Sequence, residues 1–218
     1  METLSSDRLK EEQARTLETP RRRYSFLARA LFVTMDLFYG RRPTLEKFKV
    51  LEIIARVPYQ AWENVAYVAI THTYDREDMP RRIFDRVKES RAQQDNEQWH
   101  LLIVEELLRK RGVRQGFIRY RLLPQVIALF YYQVSWLLYV IKPSLSYRLN
   151  ADFEDHAEHE YMRFVEANPA LAEEPFNSAY TGDYGSFASI ADVFRQIGYD
   201  ERIHKEESLL RLNEPRFA

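Results

Sequence analysis

The apolar positions of this chain recur every three or four residues over long stretches, and strand-type alternation is almost absent. The pattern predicts an all-α chain with six helical regions. The first runs from Arg21 to Tyr39 and stops at Gly40. The second opens at Thr44, a residue type that caps helix N-termini, and runs to Tyr74 with a kink expected at Pro58. The third covers Arg82 to Arg111 and stops at Gly112, and a short fourth covers Gly116 to Leu123. The fifth spans Pro124 to Ala167 with a break near Pro143. A loop punctuated by Pro and Gly, Asn168 to Gly185, leads to the sixth, Ser186 to Leu212. Met1 to Pro20 reads as a polar tail, which leaves residues 21–218 as one domain.

Two segments bear on location. Val126 to Ile141 is the longest apolar run, interrupted by Gln133 and Ser135. A membrane span needs about 20 residues, so this run reads as a buried helix. The first helix is apolar in its middle (Phe26, Leu27, Leu31, Phe32, Val33, Met35, Leu37, Phe38). It has Arg21, Arg22 and Arg23 before it and Arg41 and Arg42 after it. Cationic ends on an apolar helix suit the surface of an anionic bilayer; a core helix with solvated ends gives the same periodicity. The fourth region, with Arg114, Phe117, Arg119, Tyr120, Arg121 and Leu122, is basic and aromatic in the same way.

Composition narrows the chemistry. Lys plus Arg is 32 and Asp plus Glu is 33, so the broad cationic field of a nucleic-acid binder is missing. There is no cysteine, which excludes disulfides, thiolate metal sites, Fe–S clusters and a thiol nucleophile. Any metal must be held by Glu, Asp and His. The polar, mixed-charge N-terminal segment lacks the apolar core of a signal peptide.

Two of the five histidines close a Glu-x-x-His pattern, Glu97 with His100 and Glu201 with His204. Residues three apart share a helix face, so each pair can grip one metal from one side. Two further glutamates sit in apolar stripes: Glu52 with Leu45, Phe48, Ala55 and Tyr59, and Glu154 with Tyr147, Ala151, Ala157 and Tyr161. The interval from Glu52 to Glu97 is 45 residues and that from Glu154 to Glu201 is 47, so the chain reads as two similar halves. One Glu from each of two helices plus Glu-x-x-His from each of two others is the ligand pattern of ferritin-like di-iron or di-manganese bundles. Four carboxylates balance two divalent ions, and two of them can bridge. Without metal, four buried glutamates cost several kcal/mol per uncompensated ion. Glu63 shares nearly the same face as Glu52 and is the alternative ligand; Glu52 fits the interval of the second half better.

Asn96 precedes Glu97 and Asp200 precedes Glu201, so each either orients a ligand or lies solvated on its helix. Tyr161, two turns beyond Glu154, is either a redox tyrosine near the metals or a core residue. His156 and His159 flank the Glu154 face as substrate contacts or as polar helix positions.

These motifs together resemble the alternative oxidase family, particularly its plastid-terminal-oxidase-like branch. The matching segments are residues 51–59 (LEIIARVPY), 96–103 (NEQWHLLI), 153–157 (FEDHA) and 200–204 (DERIH), with Phe130-Tyr131-Tyr132, Pro143 and Tyr147 between them. The likeness runs from about Met35 to Leu210. It implies a non-haem di-iron quinol oxidase that reduces O2 to water without pumping protons. Such enzymes are monotopic membrane proteins and usually homodimers. Glu52, Glu97, His100, Glu154, Glu201 and His204 would be the ligands of two iron ions, with manganese not excluded. Tyr161 falls on the family's catalytic tyrosine, and Leu51, Ala55 and His156 fall near its quinol pocket. Lys47 stands where an arginine is usual and Glu160 where a threonine is usual, both beside that pocket. A lysine keeps the charge but loses the bidentate fork. A bacterial enzyme on the cytoplasmic face is the expected setting. The rival readings are a di-iron monooxygenase on the same bundle, an iron-storage bundle and a metal-free helical interaction protein.

Overall fold

The computed structural model describes residues 2–213. Nine α-helices are described: α1 (Ser6–Glu18), α2 (Phe26–Tyr39), α3 (Leu45–Ala55), α4 (Val57–Ile70), α5 (Asp78–Lys110), α6 (Leu123–Ile141), α7 (Pro143–Ala167), the short α8 (Thr181–Tyr184) and α9 (Ile190–Leu210). A five-residue π-helical turn, Ile118–Leu122, leads into α6. No strand occurs among the described residues, only an isolated bridge between Pro175 and Ser189.

Local chemistry sets the boundaries. Ser5, Ser25, Thr44 and Ser189 each accept a backbone N–H from the first turn of the helix that follows. The helix expected to kink at Pro58 is interrupted at Arg56, so α3 and α4 are two rods in sequence. The proline's missing N–H costs nothing in the first turn of α4. Lys142 is extended because it precedes Pro143, and this separates α6 from α7. Gly40 (φ 87°) and Gly112 (φ 65°) take the positive φ that ends α2 and follows α5.

The ligand-bearing helices α3, α5, α7 and α9 form the four-helix core, with α4 continuing α3 along α5 and α6 lying across α3, α4 and α7. Gly198 allows α9 to approach α7 closely. A Cβ there would lie 2.9 Å from Met162 Cε and 3.2 Å from Tyr161 Cβ.

Two expectations are corrected. The N-terminal tail is instead helix α1, packed on α7 and α9. Its pattern is largely polar because its buried side is largely polar. Leu9 and Thr16 are 1 % exposed, and buried Arg202 of α9 binds the Glu12 carboxylate, the Glu12 carbonyl at 2.9 Å and Thr16 Oγ1. Thr16 in turn donates to Glu158 at 2.6 Å. Such groups escape a search for apolar periodicity, although the desolvated pairs hold position strongly once formed. The helix carrying Val126 to Ile141 is also not fully buried. It seats Ile127, Ala128, Tyr131, Ser135 and Tyr139 and exposes Leu129 (59 %), Phe130 (68 %) and Ile141 (67 %). The stretch 118–141 is long and apolar enough to cross a membrane, and only a third of its most apolar window is buried.

Truncating Leu9 to Ala removes a buried anchor of α1 and is expected to cost about 3 kcal/mol. Thermal or urea unfolding of that variant checks this; unchanged stability would mean that α1 is not docked.

Candidate metal centre

Each half of the molecule brings one glutamate and one Glu-x-x-His pair inward. Glu52 comes from α3, Glu97 and His100 from α5, Glu154 from α7, and Glu201 and His204 from α9; all six are 0 % exposed. Their side chains form two groups in which one ligand atom from each residue lies within 4.8 Å of the others. One group is Glu52, Glu97, His100 and Glu201; the other is Glu97, Glu154, Glu201 and His204. Glu97 and Glu201 belong to both, so they are the two carboxylates placed to bridge, and Glu52 and Glu154 lie at opposite ends.

The inward atoms crowd against one another without forming hydrogen bonds. Glu52 Oε2, both oxygens of Glu97 and of Glu201, Glu154 Oε2, His100 Nδ1 and His204 Nδ1 are buried without a hydrogen bond. Native interiors seldom leave such atoms unpaired. The nearest contacts are Glu97 Oε1 to His204 Nδ1 at 2.6 Å and His100 Nδ1 to Glu201 Oε1 at 3.2 Å. A donor set of carboxylate oxygens and imidazole nitrogens suits iron or manganese.

The surrounding residues fix these groups from outside. Asp200 faces His100 Nε2 at 3.2 Å and receives hydrogen bonds from Asn96 (3.2 Å), Tyr184 (2.7 Å) and Gln196 (2.9 Å). With Nε2–H donating to Asp200, Nδ1 of His100 is left free to bind. Tyr161 donates to Glu52. Tyr59 donates to Glu154 at 2.8 Å and is itself held by Asn150 at 3.1 Å. Glu63 lies outside the cluster, half-buried and paired with Arg91 at 2.7 Å.

Burial and mutual repulsion govern the charges. Burial pushes Glu52 up to about 8, opposed by His100 and reinforced by the Glu97 charge. Burial and Glu97 push Glu154 up to about 7, and burial with the Glu97 and Glu154 charges lifts Glu201 as well. Burial also acts upward on Glu97, but the imidazoles of His204 and His100 outweigh it and hold Glu97 well below the usual carboxylate range.

The residues expected beside the substrate lie between α2, α3 and α7. Leu51, Ala55 and Lys47 are buried. Lys47 Nζ binds Asp36 at 2.7 Å and the Gly40 carbonyl at 2.9 Å. His156 stacks on Phe32 with ring centroids 4.0 Å apart. Arg21, in the segment between α1 and α2, donates to His156 Nδ1 at 2.9 Å and to Glu160 at 2.6 Å. Burial together with the Arg21 and Lys47 charges pushes His156 down to about 3, so its ring is neutral. His159 Nδ1 faces the Asp155 carbonyl at 2.7 Å and Nε2 faces the Thr19 carbonyl at 3.0 Å, which ties the end of α1 to α7. Between α2 and α6 lies an apolar groove of about 220 Å³ lined by Leu27, Leu31, Ile127, Phe130, Tyr131 and Val134 among others. Tyr131 stacks on Phe153, the neighbour of Glu154, and its hydroxyl is buried without a partner.

Sequence reasoning missed Tyr59, Asn150, Tyr184, Gln196, Tyr131 and Arg21. Tyr59 lies two turns from Glu52, Asn150 one turn before Glu154 and Gln196 one turn before Asp200, so helical spacing held a signal for all three. Tyr184 ends the four-residue helix α8 and Arg21 lies in an irregular segment, so no periodicity points inward at either.

In the metal-free protein the folded state binds more protons than the unfolded chain between the ordinary carboxylate value of 4.5 and about 8, because Glu52 and Glu154 titrate late. Stability is therefore expected to fall as pH rises through that window. Added Fe(II) or Mn(II) displaces those protons and raises the melting temperature more at the alkaline end. Melting curves with and without metal check this; a metal-free protein that gains stability across the window contradicts it.

Comparison with known proteins agrees with this geometry. Residues 4–209 match the family model for alternative oxidase. The chain is also 37 % identical over 143 residues to Ubiquinol oxidase 4, chloroplastic/chromoplastic, from Arabidopsis thaliana. That match covers 66 % of this chain and 37 % of the plant protein, so the chain aligns with little more than a third of that relative's length. The six buried ligand-type residues lie within the matched span, and the chain belongs to the alternative oxidase family.

Proposed function

We propose that this protein is a membrane-surface quinol oxidase that passes electrons from quinol to O2 and forms water at a pair of iron ions. The observation that carries this reading is the cluster of unpartnered carboxylate and imidazole atoms from four helices. Glu52, Glu97, His100 and Glu201 would hold one metal, and Glu97, Glu154, Glu201 and His204 the other; manganese is the alternative occupant. When bound, the pair supplies O2 binding and electron storage.

The chain's own residues do the rest. Asp200, held by Asn96, Tyr184 and Gln196, keeps the His100 ring in one tautomer and orientation. Tyr161 and Tyr59 hold phenolic protons against Glu52 and Glu154. The quinol head-group pocket would be formed by Lys47, Leu51, Ala55, His156 and Glu160. His156 is neutral, and its Nδ1 accepts from Arg21. The apolar groove between α2 and α6 suits the isoprenoid tail of a quinol. Its floor at Tyr131 leads toward Phe153 and Glu154.

A membrane location is supported by the exposed apolar residues on α2, the π-helical turn and α6, among them Phe26 (82 %), Leu37 (78 %), Phe117 (66 %) and Ile118 (71 %). Patches of this extent on a soluble monomer mark an interaction surface. Exposed arginines Arg23, Arg29, Arg41, Arg42, Arg114 and Arg121 lie on the same elements or beside them, as an anionic headgroup layer requires. A homodimer on the cytoplasmic leaflet completes the reading, the dimer on the family's example.

Iron-loaded protein on anionic vesicles, supplied with ubiquinol or plastoquinol, is expected to yield two quinones per O2 consumed, with no oxygenated organic product. An oxygenated quinol would reassign the bundle to the monooxygenases. O2 uptake without quinone formation would reject the substrate.

A further inference from the structure

The two tyrosines that donate to the outer glutamates have unlike neighbours. The Tyr161 ring is stacked on Phe48 at 4.1 Å and on Phe194 at 5.8 Å, with Phe164 beyond. Phenylalanine resists the one-electron oxidation that phenols and indoles undergo, so this side is insulated. Tyr59 lies edge-on to His204 at 5.8 Å and to Trp62 at 5.2 Å. Trp62 contacts Tyr147 at 4.6 Å and Tyr139 at 5.9 Å, and these two tyrosines share a hydrogen bond of 3.1 Å. Burial decreases outward: Tyr59 is 0 % exposed, Trp62 4 % and Tyr147 half-buried. Trp62 and Tyr147 also line a surface cleft with Arg86, Glu89 and Arg211. The Trp62 indole is pinned, its N–H donating to Ser146 at 2.8 Å, and Ser146 donates to the Ser135 carbonyl at 3.1 Å. A ladder of oxidisable rings in contact thus runs from Glu154 and His204 to the surface.

We propose that Tyr59, Trp62 and Tyr147 form a one-electron relay that discharges an oxidised metal centre at the protein surface when quinol is lacking. The inference rests on the metal-centre reading above. Tyr59 gives one electron to the oxidised centre and its phenolic proton to Glu154 Oε1, leaving a neutral tyrosyl radical. Trp62 then returns one electron to Tyr59, which recovers its proton from Glu154. Tyr147 reduces the Trp62 radical cation by one electron and loses its own proton to the solvent of the cleft. A soluble one-electron reductant of the ascorbate class restores Tyr147 by giving one electron, and solvent returns the proton. The relay protects the buried ligands, because the oxidising equivalent leaves before it attacks them.

The test uses the iron-loaded full chain, with iron content measured first, exposed to O2 or peroxide without quinol. Freeze-quench EPR reports organic radicals, and peptide mass spectrometry maps side-chain oxidation. The relay predicts oxidation at Trp62 and Tyr147 above that at Trp99 and Trp136, suppressed by ascorbate. Tyr59→Phe is expected to lower oxidation at both relay positions several-fold. Trp62→Phe is expected to leave the radical on Tyr59 and to spare Tyr147. Equal Trp62 oxidation in wild type and Tyr59→Phe overturns the relay, as does an iron-loaded, O2-consuming protein whose Trp62 is modified no more than Trp136. Those results leave the metal centre standing. Failure of the chain to take up iron overturns both.

Discussion

Four glutamates enclosed in a dry bundle with only two imidazoles beside them set the terms for the rest of the structure. Their inward oxygens are the groups least able to sit in an apolar interior unpaired. In the metal-free protein the strain appears as late titration of Glu52 and Glu154. Two divalent cations would cancel the charge and fill the unmet coordination together. Glu97 and Glu201, which belong to both groups, would then serve the two cations together. Apolar residues of the same volume would pack more cheaply.

The supporting architecture follows from that constraint. Helix α5 is 33 residues long, so Glu97 and His100 sit in its interior, away from fraying ends. The close approach at Gly198 draws α9 against α7 next to Tyr161. Helix α1 closes the outer side of the same pair through Glu12, Thr16, Arg202 and Glu158. The face formed by α2 and α6 keeps apolar residues exposed beside its groove. The α1 face is thus sealed by polar pairs, while the α2 and α6 face is apolar and exposed.

Much of this was legible in the residue pattern. The helices followed from periodicity and their limits from Thr44, Gly40, Gly112 and Pro143. The six clustered residues followed from Glu-x-x-His spacing and from near-equal intervals in the two halves. The same intervals favoured Glu52 over Glu63, and the two differ in what faces them across the bundle: Tyr161 and His100 for one, Arg91 for the other. Helix α1 was missed because its inward side is held by ion pairs and hydroxyls. The half-exposed α6 was misread because apolar residues on an outer face and on an inner face look alike in a sequence. Tyr184 reaches Asp200 from the four-residue helix α8, too short to carry a periodic signal.

Metal content bears most directly on the central claim. The purified chain, loaded anaerobically with Fe(II) or Mn(II), desalted and analysed by elemental mass spectrometry, should hold two ions, and Glu97→Ala should lose both while Glu63→Gln keeps both. A wild-type chain that retains no metal, or a Glu97→Ala chain that retains the full complement, would contradict the account.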